Sequence, residues 1–107
     1  MLIDGGSFST TADVAAVLRG LRRATFVGEE TGGAYEGNTS GLDAQVVLPA
    51  SGLRYRVQMF GYVNAVPPAE RGRGTVPDEV VPTRIADLLR GEDPAMARAL
   101  VLAKRGR

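Results

Sequence analysis

The stretch MLIDGGSFSTTADVAAVLRGLRRATFVGEET, residues 1–31, sets the fold class. Met1, Leu2 and Ile3 read as the end of a buried strand, which Gly5-Gly6 breaks. Val14, Val17, Leu18 and Leu21 then recur at helical spacing and predict a helix with those four residues inward. Ser9, Thr10 and Thr11 are all good N-caps, and Thr10 with Asp13 reads as a capping box in which Asp replaces the usual Glu. Arg22 and Arg23 suit the negative end of the helix dipole. Residues 24–28, ATFVG, read as a second strand. Strand, helix and strand at this spacing predict a parallel crossover and so an α/β fold. The pattern begins almost at Met1, so the expectation is a chain that opens in the middle of a domain.

Bulk composition narrows the rest. The 107 residues are 44% hydrophobic and 23% charged, which suits one globular domain at most. Thirteen basic residues against twelve acidic ones leave no basic stripe for a nucleic acid, apart from the terminal run Lys104-Arg105-Gly106-Arg107. Cysteine and histidine are both absent, which excludes disulfides, thiol chemistry and the usual zinc ligands. No metal or cofactor site is predicted. No run of 18 apolar residues exists, so no membrane segment is expected in this chain.

Further along, EETGGAYEGNTSG (29–41) is a glycine-rich loop. Residues 45–49 form a short apolar run. Leu53, Tyr55, Val57 and Met59 then alternate with Arg54, Arg56 and Gln58, predicting a half-buried strand that pairs with the first run as a hairpin. Residues 64–78 are irregular and rich in Pro and Gly. Helical pattern returns over 84–90, stopped by Gly91. A last helix has Asp93 as its cap and Pro94 as its first residue, with Ala97, Leu100 and Val101 expected inward.

The chemistry concentrates on the turn before the first helix. The Ser9 and Thr10 amides would lie at the positive helix end, which binds anions and stabilises a tetrahedral oxyanion. The preceding glycines let a substrate backbone approach. The competing reading makes Ser9 or Thr10 a plain helix cap, and Ser7 offers a second hydroxyl on the same turn. A serine nucleophile needs a base, yet histidine is absent and Lys104, the sole lysine, sits near the far terminus. The base is therefore expected outside these residues. The glycine-rich loop is not a phosphate loop, because no Gly-Lys-Ser or Gly-Lys-Thr follows. Glu29, Glu30, Glu36 and Glu70 read first as solvated loop charges.

Taken together, LIDGGSFSTTADVAAVLRGLRRATFVGEETGGAYEGNTSG, LPASGLRYRV and GRGTVPDEVVPTRIADLLRGEDPAMARAL resemble the tail-specific (carboxyl-terminal processing) serine proteases, most of all their tricorn-like branch. The likeness rests on three ordered features: the Ser-x-Ser turn before a helix, VGEETGG after the next strand, and Gly-x-Val-Pro-Asp near the end. It implies Ser9 as the catalytic nucleophile and the Thr10 amide as half of an oxyanion hole, the other half coming from an upstream glycine. One branch of the family places a lysine base where this chain has Ala34. The tricorn-like branch uses Ser, His and Glu, with the His upstream and the Glu matched here by Glu70. The implied fold is a partial crotonase/Clp-protease-like spiral of ββα units: a strand–helix–strand opening, a β-hairpin and two C-terminal helices. Residues 1–107 would be the C-terminal part of a serine peptidase catalytic domain, acting on a polypeptide substrate without cofactor. Relatives are exported in some cases and cytoplasmic in the tricorn type. The alternative is a non-catalytic domain holding a peptide or apolar ligand in the same cleft.

Overall fold

Three short parallel strands and the helix between the first two form the centre of the molecule. The computed structural model describes residues 1–69 and 71–105. Strand β1 (Leu2–Ile3) leads through the Gly5-Gly6 turn into helix α1 (Thr10–Gly20), and the chain returns as β2 (Val27–Gly28). Strand β2 lies parallel to β1, with Leu2 opposite Val27 and Ile3 opposite Gly28. Two further short strands, β3 (Gly37–Asn38) and β6 (Tyr62–Val63), pair antiparallel around the longer hairpin of β4 (Asp43–Val47) and β5 (Arg54–Gln58). Strand β7 (Glu79–Val80) completes the central sheet parallel to β2, giving the order β1-β2-β7. Helices α2 (Ile85–Arg90) and α3 (Pro94–Arg105) close the chain. The architecture is thus mixed α and β, with small sheets and three helices.

The core is small: Ile3, Ala15 and Phe26, with Leu18 and Ala24 packed against them. Phe26 is completely buried. Helix α1 buries Ala12, Ala15 and Ala16, whereas Val14, Val17 and Leu21 are exposed. The expected inward stripe is therefore rotated. Ala15 packs against Ile3 and Phe26, and of the four predicted residues only Leu18 packs on the core. The end of α1 is held by bonds from the Arg22 amide to the Arg19 carbonyl (3.0 Å) and from Arg23 to Leu18 (2.9 Å), with Arg22 at φ 52° in the left-handed position glycine usually takes.

Asp78 ties three elements together. Its carboxylate accepts the Phe26 amide at 2.8 Å and pairs with Arg19 of α1, while its own amide donates to the Phe26 carbonyl at 2.9 Å. Burial works to raise its pKa, but the Phe26 amide and Arg19 outweigh that and hold it below the ordinary aspartate value. Arg19 also lies 5.5 Å from the centre of the Phe26 ring.

The C-terminal helices begin and end as their sequence dictates. Gly91 closes α2 in the left-handed conformation at φ 67°. Asp93 caps α3 by accepting the Met96 amide at 2.8 Å. The less exposed side of α3 is Ala95, Arg98, Ala99 and Leu102; Ala97, Leu100 and Val101, expected inward, face out. Arg98 anchors that side to the sheet through Glu79 at 2.8 Å. The hairpin forms as predicted, but no residue of β5 is even partly buried. The molecule measures 60 × 37 × 20 Å with a radius of gyration of 17.8 Å, against about 13 Å for a compact domain of this length.

Candidate active site

The turn between β1 and α1 separates its two serines. The Ser7 hydroxyl donates to Asp4 Oδ1 at 3.1 Å and accepts the Asp4 amide at 3.2 Å, and the residue is buried. Asp4 Oδ1 also accepts the Gly6 amide at 2.9 Å, so Asp4 folds the turn around Ser7. Ser9 is the opposite case. It is exposed, stands at the N-cap position of α1, and makes no side-chain cap bond. Its backbone sits at φ 54°, ψ −133°, the conformation glycine takes at the first centre of a type II′ turn. A non-glycine residue held there stores about 1–3 kcal/mol of strain, and such strain clusters at functional sites. Of the alternatives open at this turn, Ser7 is a structural hydroxyl, and Ser9 is a free-standing one that caps nothing.

Directly after Ser9 the helix begins, with Thr10 exposed at its first position. The first bond inside the helix runs from the Asp13 amide to the Ser9 carbonyl at 3.0 Å. The Thr10, Thr11 and Ala12 amides precede it and have no intrahelical acceptor, so the positive helix end opens beside the Ser9 hydroxyl.

The glycine-rich loop returns to this turn. The Gly33 amide donates to the Ser7 carbonyl at 3.1 Å. A Cβ on Gly33 would lie 2.8 Å from Phe8 Cα, and one on Gly32 would run into the Gly5 carbonyl, so only glycine lets the loop pass so close. Gly32, Gly33, Phe8 and Ser9 line one side of a groove of about 560 Å³, and the Asn38–Ser40 segment with Gln58 lines the other. Among the described residues, no ionisable side chain lines it.

The far wall is held by Asp13, and this feature has no counterpart in the sequence reading. Asp13 does not complete a capping box with Thr10. Its carboxylate instead accepts Asn38 Nδ2 at 3.2 Å, Asn64 Nδ2 at 3.2 Å and the Tyr62 hydroxyl. Bonding to Asp13 raises the Tyr62 pKa above that of free tyrosine, because the carboxylate favours the protonated phenol. Asn38 Oδ1 in turn accepts the Ser40 amide at 2.9 Å. One carboxylate on the first turn after Ser9 thus fixes the opposite wall. The only sequence signal was an excess of polar side chains at residues 38, 62 and 64, which hydropathy periodicity does not register.

Behind the groove, the loop is zipped to residues 73–75. The Thr31 amide donates to the Thr75 carbonyl at 3.2 Å and the Tyr35 amide to the Arg73 carbonyl at 2.9 Å. Glu30 accepts Arg73 at 2.5 Å and the Gly74 amide at 2.7 Å. The hydrogen bond from Arg73, then that from Gly74, lowers the Glu30 pKa to about 2 from 4.5. Glu29 accepts the Thr83 amide at 2.8 Å. Glu29 and Glu30 are therefore structural ties and not the solvated loop charges expected. Ala34 forms an isolated bridge with Gly74. Lys104 is exposed on the last turn of α3. Glu70 lies outside the described residues.

Among the described residues no group of three or more acidic side chains is placed to hold a metal ion, and no helix is long and apolar enough to cross a membrane. No family model and no curated protein matches this chain.

Proposed function

We propose that this chain carries the nucleophile of a serine endopeptidase. The observation that supports it best is the separation of Ser7 from Ser9: one hydroxyl is locked to Asp4, while the other stands uncapped on a strained turn facing a groove. A peptide strand lying in that groove presents a carbonyl to Ser9 Oγ. Attack forms the C–O bond, and the developing oxyanion is stabilised by the Thr10 amide at the helix end. A general base takes the Ser9 proton and returns it to the leaving amine as the C–N bond breaks. Water then hydrolyses the acyl-enzyme by the same steps in reverse order.

Among the described residues no titratable side chain lines the groove, so none of them is placed there to act as the base. This is the arrangement that the resemblance to the tricorn-like tail-specific proteases implies, with His and a second oxyanion donor supplied upstream and Glu70 as the acidic member. On this reading the parallel β1-α1-β2 unit belongs to a crotonase-like spiral. The test is hydrolysis of an unstructured protein such as casein by the native-length protein. Ser9→Ala should lower kcat by at least about 1,000-fold with little change in KM. Unchanged turnover by Ser9→Ala would refute the assignment.

The uncharged groove also favours a second reading, a peptide-binding domain without turnover. Its signature is saturable binding of extended peptides by native-length protein that neither cleaves them nor loses them in Ser9→Ala.

A further inference from the structure

The β4–β5 hairpin carries one face that the fold leaves uncovered. Its register sets Val46 opposite Tyr55 and Ala44 opposite Val57. It continues outward, with the Leu48 amide bonded to the Leu53 carbonyl at 2.9 Å and the Met59 amide to the Leu42 carbonyl at 3.1 Å. Residues opposite one another in an antiparallel pair share a face, and alternate residues along each strand do too. Every second residue from Leu42 to Leu48, and from Leu53 to Met59, therefore projects to one side, and all of them are apolar. The other side carries the Asp43–Arg56 ion pair, Gln45, Arg54 and Gln58, with Val47 as its one apolar residue. The apolar face is open to solvent: Leu53 is 65% exposed, Tyr55 62% and Met59 58%.

We infer that a second copy of this chain covers this face, ribbon against ribbon. The exposed fractions leave roughly 700 Å² of it open per copy, so a face-to-face pair would bury roughly 1,400 Å², within the range of a specific interface. No charge lies on the face, so nothing on it selects an acidic or basic partner, and a net charge of +1 sets up no repulsion between copies. The face is also self-complementary. A two-fold axis crossing the ribbon between its central pairs sets Tyr55 of one copy over Val57 of the other and Val46 over Ala44, larger against smaller. Two stacked ribbons make a small sandwich, whereas a lone two-stranded ribbon is marginal in water. This inference does not depend on the role of Ser9.

The experiment is sedimentation velocity on the 107-residue chain from roughly 1 to 200 µM. A concentration-dependent dimer is expected. Val46→Lys with Tyr55→Lys should weaken dimerisation by at least about 100-fold with an unchanged far-ultraviolet dichroism spectrum, because both side chains are exposed in the monomer. Gln45→Lys, on the opposite face, should change it less than about threefold. A second measurement guards against loss of fold: Gln45→Cys, on the outer face beside the two-fold axis, adds the sole thiol in the chain, and a spin label on it should show dipolar coupling between the two copies. A chain monomeric up to the highest concentration, a dimer that tolerates both lysines, or a Gln45→Cys spin label with no coupling between copies would each overturn the inference. The first result would assign the face to a different occupant.

Discussion

Replacing Ser9 by alanine and by glycine asks the structure for two different answers. Alanine removes the hydroxyl but keeps the Cβ that strains the turn at φ 54°, ψ −133°. The hydroxyl caps nothing, so Ser9→Ala should change stability by less than about 0.5 kcal/mol. A serine acting as an ordinary N-cap would instead lose about 1 kcal/mol. Glycine removes the strain as well, worth about 1–3 kcal/mol, against roughly 0.5–1 kcal/mol for the added freedom of the unfolded chain. Ser9→Gly should therefore stabilise by about 0–2.5 kcal/mol, roughly 1 kcal/mol at mid-range, and raise Tm by several degrees, since 1 kcal/mol moves a domain near this size by about 4–8 °C. Urea and thermal unfolding of the three proteins, followed by circular dichroism, give the numbers. A loss of 1 kcal/mol or more in Ser9→Ala, or a Ser9→Gly protein less stable than wild type, would mean that the hydroxyl is a cap and the turn is unstrained.

Three further outcomes follow from the walls of the groove. Gly33→Ala pushes a methyl against the Phe8 backbone and should cost about 1–3 kcal/mol in urea unfolding, whereas Gly52→Ala, where a Cβ meets nothing, should lose less through its φ of 69° alone. Asp13→Ala strips the acceptor shared by Asn38, Tyr62 and Asn64, and should cost about 1–3 kcal/mol and speed hydrogen exchange at the Asn38–Ser40 segment; unchanged exchange there would remove Asp13 from its role. Glu30, with its pKa lowered to about 2, stabilises the fold fully above its ordinary value of 4.5 and loses that contribution as pH falls toward 2. Wild type should thus exceed Glu30→Gln in urea midpoint at pH 7, with the gap closing between about pH 5 and 2; a gap that persists at pH 2 would contradict the ion-pair assignment.

Much of the architecture was legible in the residues themselves. Gly5-Gly6, Gly91 and Asp93-Pro94 mark breaks whose physical reasons are local, so the order β1-α1-β2 and the two C-terminal helices were legible, whereas β2 covers only Val27–Gly28 of the expected 24–28. Burial was less legible, because it depends on distance between elements. Hydropathy ranks Val14, Val17 and Leu21 above alanine, but the buried face of α1 is Ala12, Ala15 and Ala16. The same rotation affects α3. Alternation in residues 53–59 identified a strand and could not say that its apolar face stays open. At the site, periodicity left Ser7 and Ser9 equivalent. Backbone dihedrals and one carboxylate, Asp4, distinguish them. The Asp13 hub joins residues up to 51 positions apart and leaves no short-range trace.

The account stands on the Ser9 hydroxyl being the reactive one, and covalent labelling measures that directly. Native-length protein treated with a fluorophosphonate and mapped by peptide mass spectrometry should carry one adduct, on Ser9, which Ser9→Ala abolishes and the Ser9→Ala refolding control shows is not lost through unfolding. No adduct on native-length protein, or an adduct on Ser7 with Ser9 unmodified, would contradict it.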